Sequence, residues 1–471
     1  MKPILLLATA ALAVVGCQEE KKEVAQAEAE KTPGIDLQYM DTTVSPKNNF
    51  YDYVNGTWMK ETEIPEDRTS WGGFQVLRKS TDEDVLKILD DAAESGKYKV
   101  GSDQAKAIAL FNAKLDTVGR NEDGLKPLQP ALEKISKIEN VEDLQETMAN
   151  HYATVSDPFF GIAAFSNPSD SNMNSAYITP GSLGLPNKEY YTDQDEKSKE
   201  IRQQYVEHIT RMLQYLGDSE ESAKEQAETI LAFETRLAEP RLDKVASRDF
   251  RNFNNPRSIE QIQEMVPAVD WKKYISDLGV EKELDTIIVM QPKYMETLQA
   301  VLAEGDTKKW QTVMRWATLN SAAGMLTTEL DKANWDFYSK TLNGAKKQRP
   351  ARERALATVN GSVGEALGQL YVDEKFPPEA KEKAQEMIAN VISAFQNRIE
   401  RLEWMTDSTK QKAIEKLDKF TVKIGYPDEW KDYSELAISE DNNYYENMVA
   451  VSEWSYKDNL SDINEPVDKK E

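Results

Sequence analysis

The reactive inventory of this 471-residue sequence is short: two histidines, His151 and His208, and a single cysteine, Cys17, among 82 acidic residues. A hydrolytic zinc site on one helix needs H-E-x-x-H, which puts two imidazoles on one face and a glutamate beside the metal-bound water. His151 and His208 are far apart, and neither is followed by Glu. His208 sits at the margin of an apolar stripe with Tyr205 and Met212, so a packed, hydrogen-bonded imidazole is expected there. No G-x-S-x-G is present, and Cys17 closes an N-terminal apolar run, so no nucleophile stands out. Acid pairs such as Glu234 with Glu239, or Asp193 with Asp195, are expected by chance in so acidic a chain and do not mark a glycosidase. Asp170, Asn172 and Asn174 alternate as in a calcium loop, but Ser175 and Gly181 stand where that loop needs Gly and Glu. No residue of this chain is therefore expected to be catalytic or to ligate a metal.

Cys17 has a different chemistry. Met1-Lys-Pro precedes an apolar run from Ile4 to Val15, too short to span a membrane, and Val14-Val15-Gly16-Cys17 closes it. The pattern resembles a bacterial lipobox, with residues 1–16 a signal peptide and Cys17 the lipidated first residue of the mature protein. An ordinary signal peptide is the alternative. Residues 17–44, rich in Glu, Lys, Ala and Gln, are expected to be a disordered tether. The expected location is a lipid anchor on the periplasmic or extracellular face of a bacterial membrane. With one cysteine no intrachain disulfide can form. A net charge of −24 repels phosphate backbones, so no nucleic acid is expected as partner.

The elements that carry these residues read as mainly helical with minor β. Aromatics and turn residues mix over 45–80, and the helical pattern begins at Asp82. Phe159–Phe165 and Asn174–Thr179 read as a strand hairpin. Helices are expected around Ile201–Leu216, stopped by Gly217, around Ala227–Leu237, ended before Pro240, and at Ile259–Met265, Ile287–Leu302, Thr307–Met325 and Glu353–Val372. No fixed-period repeat argues for a solenoid.

The richest stretch is Arg349–Leu436. Ala384, Met387, Ile388, Val391, Ile392, Phe395, Ile399 and Leu402 recur at three- and four-residue steps, the stripe of a long amphipathic helix begun at Pro378. Upstream, Gly361, Gly364 and Gly368 would share a helix face, and close approach of another backbone is the expected reason. The phosphate-loop motifs are absent. Downstream, Phe420–Pro427 alternates like a short strand.

This stretch resembles the N-terminal half of neprilysin-type zinc metallopeptidases, through ALGQLYV, LEWM, KLDKFTVKIGYPDEW and KDYSEL. The likeness extends upstream to Asn49-Phe-Tyr-Asp-Tyr-Val-Asn-Gly-Thr-Trp58, Trp71-Gly-Gly-Phe74, Tyr177-Ile-Thr-Pro180 and Leu185-Pro-Asn-Lys-Glu-Tyr-Tyr191. The resemblance implies a large helical lobe over 45–471 that caps the active-site chamber of an oligopeptidase. It implies that 45–80 and 420–471 pack on a catalytic half, leaving aromatics among Trp58, Trp71, Phe74, Tyr444, Trp454 and Tyr456 exposed without it, whereas the helices around Glu382–Leu402 pack among themselves. Ser452–Asp468 is similar to the family's connector just before that half. Zinc would come only with the catalytic half, so this chain alone is expected to be inactive. The partners implied are that half and peptide substrates. At Ser70 relatives often carry an Arg that contacts the substrate C-terminus, and Arg68 is displaced by two residues. The alternative is a stand-alone, non-catalytic helical lipoprotein that binds peptides or a partner protein.

Overall fold

Helix punctuation in the sequence is obeyed in the computed structural model, which describes residues 34–470. The signal peptide, Cys17 and most of the tether lie outside the described residues. The chain divides into two units, Met1–Glu63 and Ile64–Glu471. In the first, a 3-10 turn at Leu37–Tyr39 precedes helix α1 (Phe50–Glu61), whose N-cap Asn49 accepts from the Asp52 N–H. Lys60 and Thr43 donate to Asp41 and hold its carboxyl down to about 2.

The second unit opens with α2 (Gly73–Ser95), α3 (Asp103–Leu115), α4 (Thr117–Asp123), α5 (Gln129–Ile135) and α6 (Val141–Asn150). The hairpin follows as β1 (Phe160–Asn167) and β2 (Asp170–Pro180), paired antiparallel with an irregularity between Ser166 and Asn167. Asn167 Oδ1 closes its two-residue turn by accepting from the Ser169 and Asp170 N–H groups, the local bond that suits Asn to turns. Beyond α7 (Lys188–Thr192), α8 (Glu196–Tyr215) and α9 (Glu220–Ala238) pack together. Gly217, at φ +95°, takes the left-handed turn that ends α8, and Ser219 caps α9.

A short β3 (Pro256–Arg257), α10 (Ile259–Met265), α11 (Trp271–Asp277) and β4 (Ile287–Val289) come next. The sheet order is β1-β2-β4-β3, with β2 and β4 parallel. The helix expected over Ile287–Leu302 is thus split. The β-branched run Ile287-Ile288-Val289 pairs in the sheet, and Pro292, favoured in a first turn, opens α12 (Pro292–Ala303). Then follow α13 (Thr307–Ala322), α14 (Thr328–Trp335), a π-helical turn at Asp336–Thr341, α15 (Ala351–Lys375), α16 (Pro378–Glu400), α17 (Asp407–Asp418) and α18 (Tyr444–Ser461).

Two apolar cores hold this unit. The larger joins α5–α14 with β1, β2 and β4 around fully buried Trp271, Trp310 and Trp316. The smaller joins α2, α3 and α15 to Tyr433, Leu436 and Ile438. Helix α18 belongs to both, giving Tyr444 and Val451 to the smaller and Tyr445 and Leu460 to the larger. It also closes the free edge of β1: Asn459 bonds both the N–H and C=O of Ala164, and Tyr456 donates to the Ile162 carbonyl. One side-chain amide and one hydroxyl here take the place of a neighbouring strand.

Three expectations need correction. Phe420–Pro427 forms no strand: it has no strand to pair with, and Phe420 and Val422 stand in water. The glycines of α15 meet no approaching backbone. A Cβ at Gly361 would find open space, one at Gly364 only the side chain of Asn360, and one at Gly368 only the Trp430 ring at 3.4 Å. Gly361 and Gly364 instead flank a kink at Val363 (φ −132°, ψ 48°), where weak helix formers ease the break. Finally, α16 has the helical bounds its stripe predicts, yet none of its residues is buried, so it does not form a packed core of its own.

Candidate functional site

Helix α9 turns Ile230, Phe233, Glu234 and Leu237 inward, so a carboxylate enters the larger core with its apolar neighbours. The Tyr191 hydroxyl, from α7, donates to Glu234 Oε2 at 2.8 Å, and the Tyr205 hydroxyl, from α8, donates at 2.9 Å. Each tyrosine oxygen is itself held, Tyr191 by the Leu185 N–H (2.8 Å) and Tyr205 by Trp316 Nε1 (3.0 Å) from α13. Gly184 also donates its N–H to Glu234. It must be glycine, because a Cβ there would overlap the Tyr205 hydroxyl. Burial pushes the Glu234 carboxyl up to about 7 against these donors. With its oxygens committed to the tyrosines and Gly184, Glu234 locks α7, α8, α9 and α13 together.

Glu234 also borders a cavity of about 450 Å³, shared with Asp157, Tyr274, Trp316, Asn320 and Tyr456. Asp157 accepts from the Phe159 N–H at 2.6 Å and from Phe160, yet burial pushes its carboxyl to about 7 as well. The cavity wall contains no Lys, Arg or His. Its acids can hold protons near neutrality, and the serine hydroxyls beside Asp157 belong to Ser156 and Ser182, the latter donating to the Asp157 carbonyl.

The histidines are where packing puts them. His208 is buried, stacked on Phe337 of the π-helical turn at 4.8 Å, with Arg211 near Nδ1 at 3.3 Å. Burial, then Arg211, pulls its pKa down to about 3, so it is neutral. His151 contacts Lys134 at 3.0 Å. Among the described residues no three His, Cys, Asp or Glu side chains group to hold a metal ion. The His208 Nε2 atom is buried without a partner, but the imidazole is packed among Trp316, Phe337 and Tyr338 with Arg211 at its other nitrogen, and among the described residues no group of metal-binding side chains forms around it. These residues do not fit a zinc ion. Arg68 is taken up by Asp67 (2.8 Å) and Glu353 (2.6 Å), and Ser70 meets only Gln75.

What the second unit leaves open is apolar. Met387, Val391 and Phe395, one turn apart on α16, are 60%, 50% and 59% exposed, and Trp404 just beyond is 75% exposed. On α2, Phe74 is 88% exposed. Of the aromatics expected in water, Phe74 is there, whereas Tyr444 is buried and Trp454 and Tyr456 pack against the cores. No described helix is long and apolar enough to cross a membrane.

The sequence profile of peptidase family M13, in its N-terminal part, matches residues 46–427. The chain belongs to peptidase family M13. Among solved structures, the zinc metalloprotease Zmp1 of Mycobacterium tuberculosis, in complex with an inhibitor, superposes with a TM-score of 0.85 at 31% identity, over 93% of this chain and 66% of that one. PepO from Lactobacillus rhamnosis, at 19% identity and a TM-score of 0.83, shares the fold. Neprilysin-3 of Drosophila melanogaster is 28% identical over 92% of this chain and 58% of its own length. Human endothelin-converting enzyme 1 is 25% identical over 96% of this chain and 61% of its own. The chain thus spans about three fifths of the curated relatives it matches. As a family M13 lobe, it places the Leu185–Tyr191 motif against Glu234: that motif supplies the Leu185 N–H and Tyr191. Sequence reasoning passed over Glu234 as one acid among many, and the only signal was its place on the apolar stripe with Ile230, Phe233 and Leu237.

Proposed function

We propose that this chain is the helical N-terminal lobe of a zinc metallopeptidase. It encloses a chamber for oligopeptides, while zinc and the H-E-x-x-H helix come from a catalytic half of the kind the full-length relatives carry. The carrying observation is the family M13 match over 46–427, in a chain that covers 58–61% of the neprilysin and endothelin-converting-enzyme relatives named with it. The exposed apolar face of α16 supports the reading, because a contiguous apolar stripe left in water marks a surface fit to be covered. The lobe itself contributes walls and a rigid Glu234 lock, and no step of the chemistry. We extend the proposal to location: lipidation at Cys17 would hold the lobe at the outer or periplasmic face of a membrane.

The alternative, a stand-alone lipoprotein that binds peptides without chemistry, draws support from α18, whose Tyr444 and Leu460 are buried in the lobe's own cores. It leaves the open face of α16 unexplained. The test is metal content and chelator-sensitive cleavage of a short peptide by the purified chain, alone and with a catalytic half supplied. No stoichiometric zinc and no cleavage alone, with cleavage on complementation, is the expected result. One tightly held zinc per chain, or chelator-sensitive cleavage by the chain alone, would overturn the proposal.

A further inference from the structure

A second cavity, of about 480 Å³, lies between α3, α14, the start of α15 and the loop at 345–349, and shares Asn320 and Ser321 with the wall of the Glu234 cavity. Its character is opposite. Lys114, Lys347, Arg349 and Arg354 line it, in a protein whose net charge is −24. The two acids in the wall are already engaged, Asp67 with Arg68 at 2.8 Å and Asp331 with Arg354 at 2.6 Å.

The cations are crowded together. Lys114 Nζ and Arg120 Nη2 donate to the same oxygen, the Gly324 carbonyl, at 2.8 and 3.0 Å. Both also lie against the Tyr444 ring, at 4.7 and 5.2 Å from its centre. Arg120 gives its Nε–H to the Leu326 carbonyl, and Arg354 Nε is buried without an acceptor. Around this point Lys114, Arg120 and Arg354 face one carboxylate in contact, Asp331, with Asp116 further off. Two like charges on one carbonyl, removed from water, are costly unless an anion joins them. Burial, then Arg120, brings the Lys114 ammonium down to about 8. At the exposed side, the backbone N–H groups of Lys346 and Lys347 are pinned to the Glu66 carbonyl (3.1 and 3.0 Å), while the Lys347 and Arg349 side chains have no carboxylate partner among the described residues.

We propose that this cavity binds a multivalent oxyanion, sulfate- or phosphate-like, taken between the exposed Lys347 and Arg349 and the deeper Lys114. The planar guanidinium gives two parallel donors and the ammoniums give point charge, the pairing that suits a tetrahedral oxyanion. The anion supplies the negative charge that Asp331 alone does not, and it favours the charged form of Lys114. Binding therefore takes up a proton near pH 8. The proposal is independent of the peptidase reading, since every residue it uses lies in this chain.

The test is calorimetric titration of the full chain with sodium sulfate at ionic strength held constant with chloride. Sulfate does not titrate near neutrality, so any proton taken up belongs to the protein. At pH 8, in two buffers of different ionisation heat, saturable binding with uptake of about half a proton per sulfate is expected, falling toward zero at pH 6.5. Lys347→Gln with Arg349→Gln, both exposed and unpaired, should fold normally and weaken binding at least tenfold. Lys114→Gln should abolish the proton uptake. Heats no larger than the chloride control, binding unchanged in the Lys347/Arg349 double variant, or saturable binding without proton uptake at pH 8 would each overturn the site.

Discussion

At the residue scale, Glu234 carries the clearest electrostatic consequence. Its carboxyl lies near 7 in the fold against an ordinary 4.5, because burial outweighs the Tyr191, Tyr205 and Gly184 donors. The folded chain therefore holds this proton more tightly than the unfolded one. The contribution to stability is full below about pH 4.5 and is lost as pH rises through 7. In Glu234→Gln that dependence disappears, so denaturant unfolding should show the variant gaining on the parent by about 2–3 kcal/mol between pH 5 and pH 8. A stability difference that does not change with pH would mean the carboxyl is already ionised at pH 5. A second residue-scale prediction concerns Cys17: Cys17→Ser should release the protein from the membrane fraction and change precursor processing, since stable anchoring needs the acyl chains. Unaltered fractionation would remove the lipobox reading.

His208 was legible as a packed histidine because its own helix announces the burial through Tyr205, Ile209 and Met212. Glu234 was not legible as a lock. What makes it one is the convergence of Tyr191, Tyr205, Gly184 and Trp316 from separate stretches of chain, and local pattern carries no trace of that convergence. The Lys114–Arg120 pair was hidden for the same reason, since the carbonyl they share belongs to Gly324, some 200 residues away.

At the scale of elements, periodicity told where helices run and far less about what they touch. The α16 stripe matches the helix, from Pro378 to Glu400, but none of that stripe enters the lobe's own cores. Phe420–Pro427 alternates like a strand and stays irregular, because a ladder needs a neighbour that alternation cannot supply. Conversely, Ile287–Val289 became a strand where a helical window had absorbed it, because β2 stands beside it. The contrast yields a paired prediction. Phe395→Ser on α16 should change unfolding stability by less than about 0.5 kcal/mol in the isolated chain, because the ring is in water already. Leu367→Ala on α15, in the smaller core, should cost about 2–4 kcal/mol. Equal costs would mean that α16 is packed in solution as firmly as α15.

At the scale of the whole molecule, the second unit is a mainly helical lobe with two filled cores and one long apolar helix face left open. Family M13 membership explains the fold, and the proposed function explains the open face as the seat of a catalytic half. The claim that this face lacks its partner is reached most directly by amide hydrogen exchange, read segment by segment on the purified chain. Local opening follows buried apolar contact, so α3, α13 and the core half of α15 should exchange slowly while α16 and α17, with no buried residue between them, exchange orders of magnitude faster. Protection of α16 and α17 equal to that of α3 and α15 would contradict the account and mark the lobe as complete in itself.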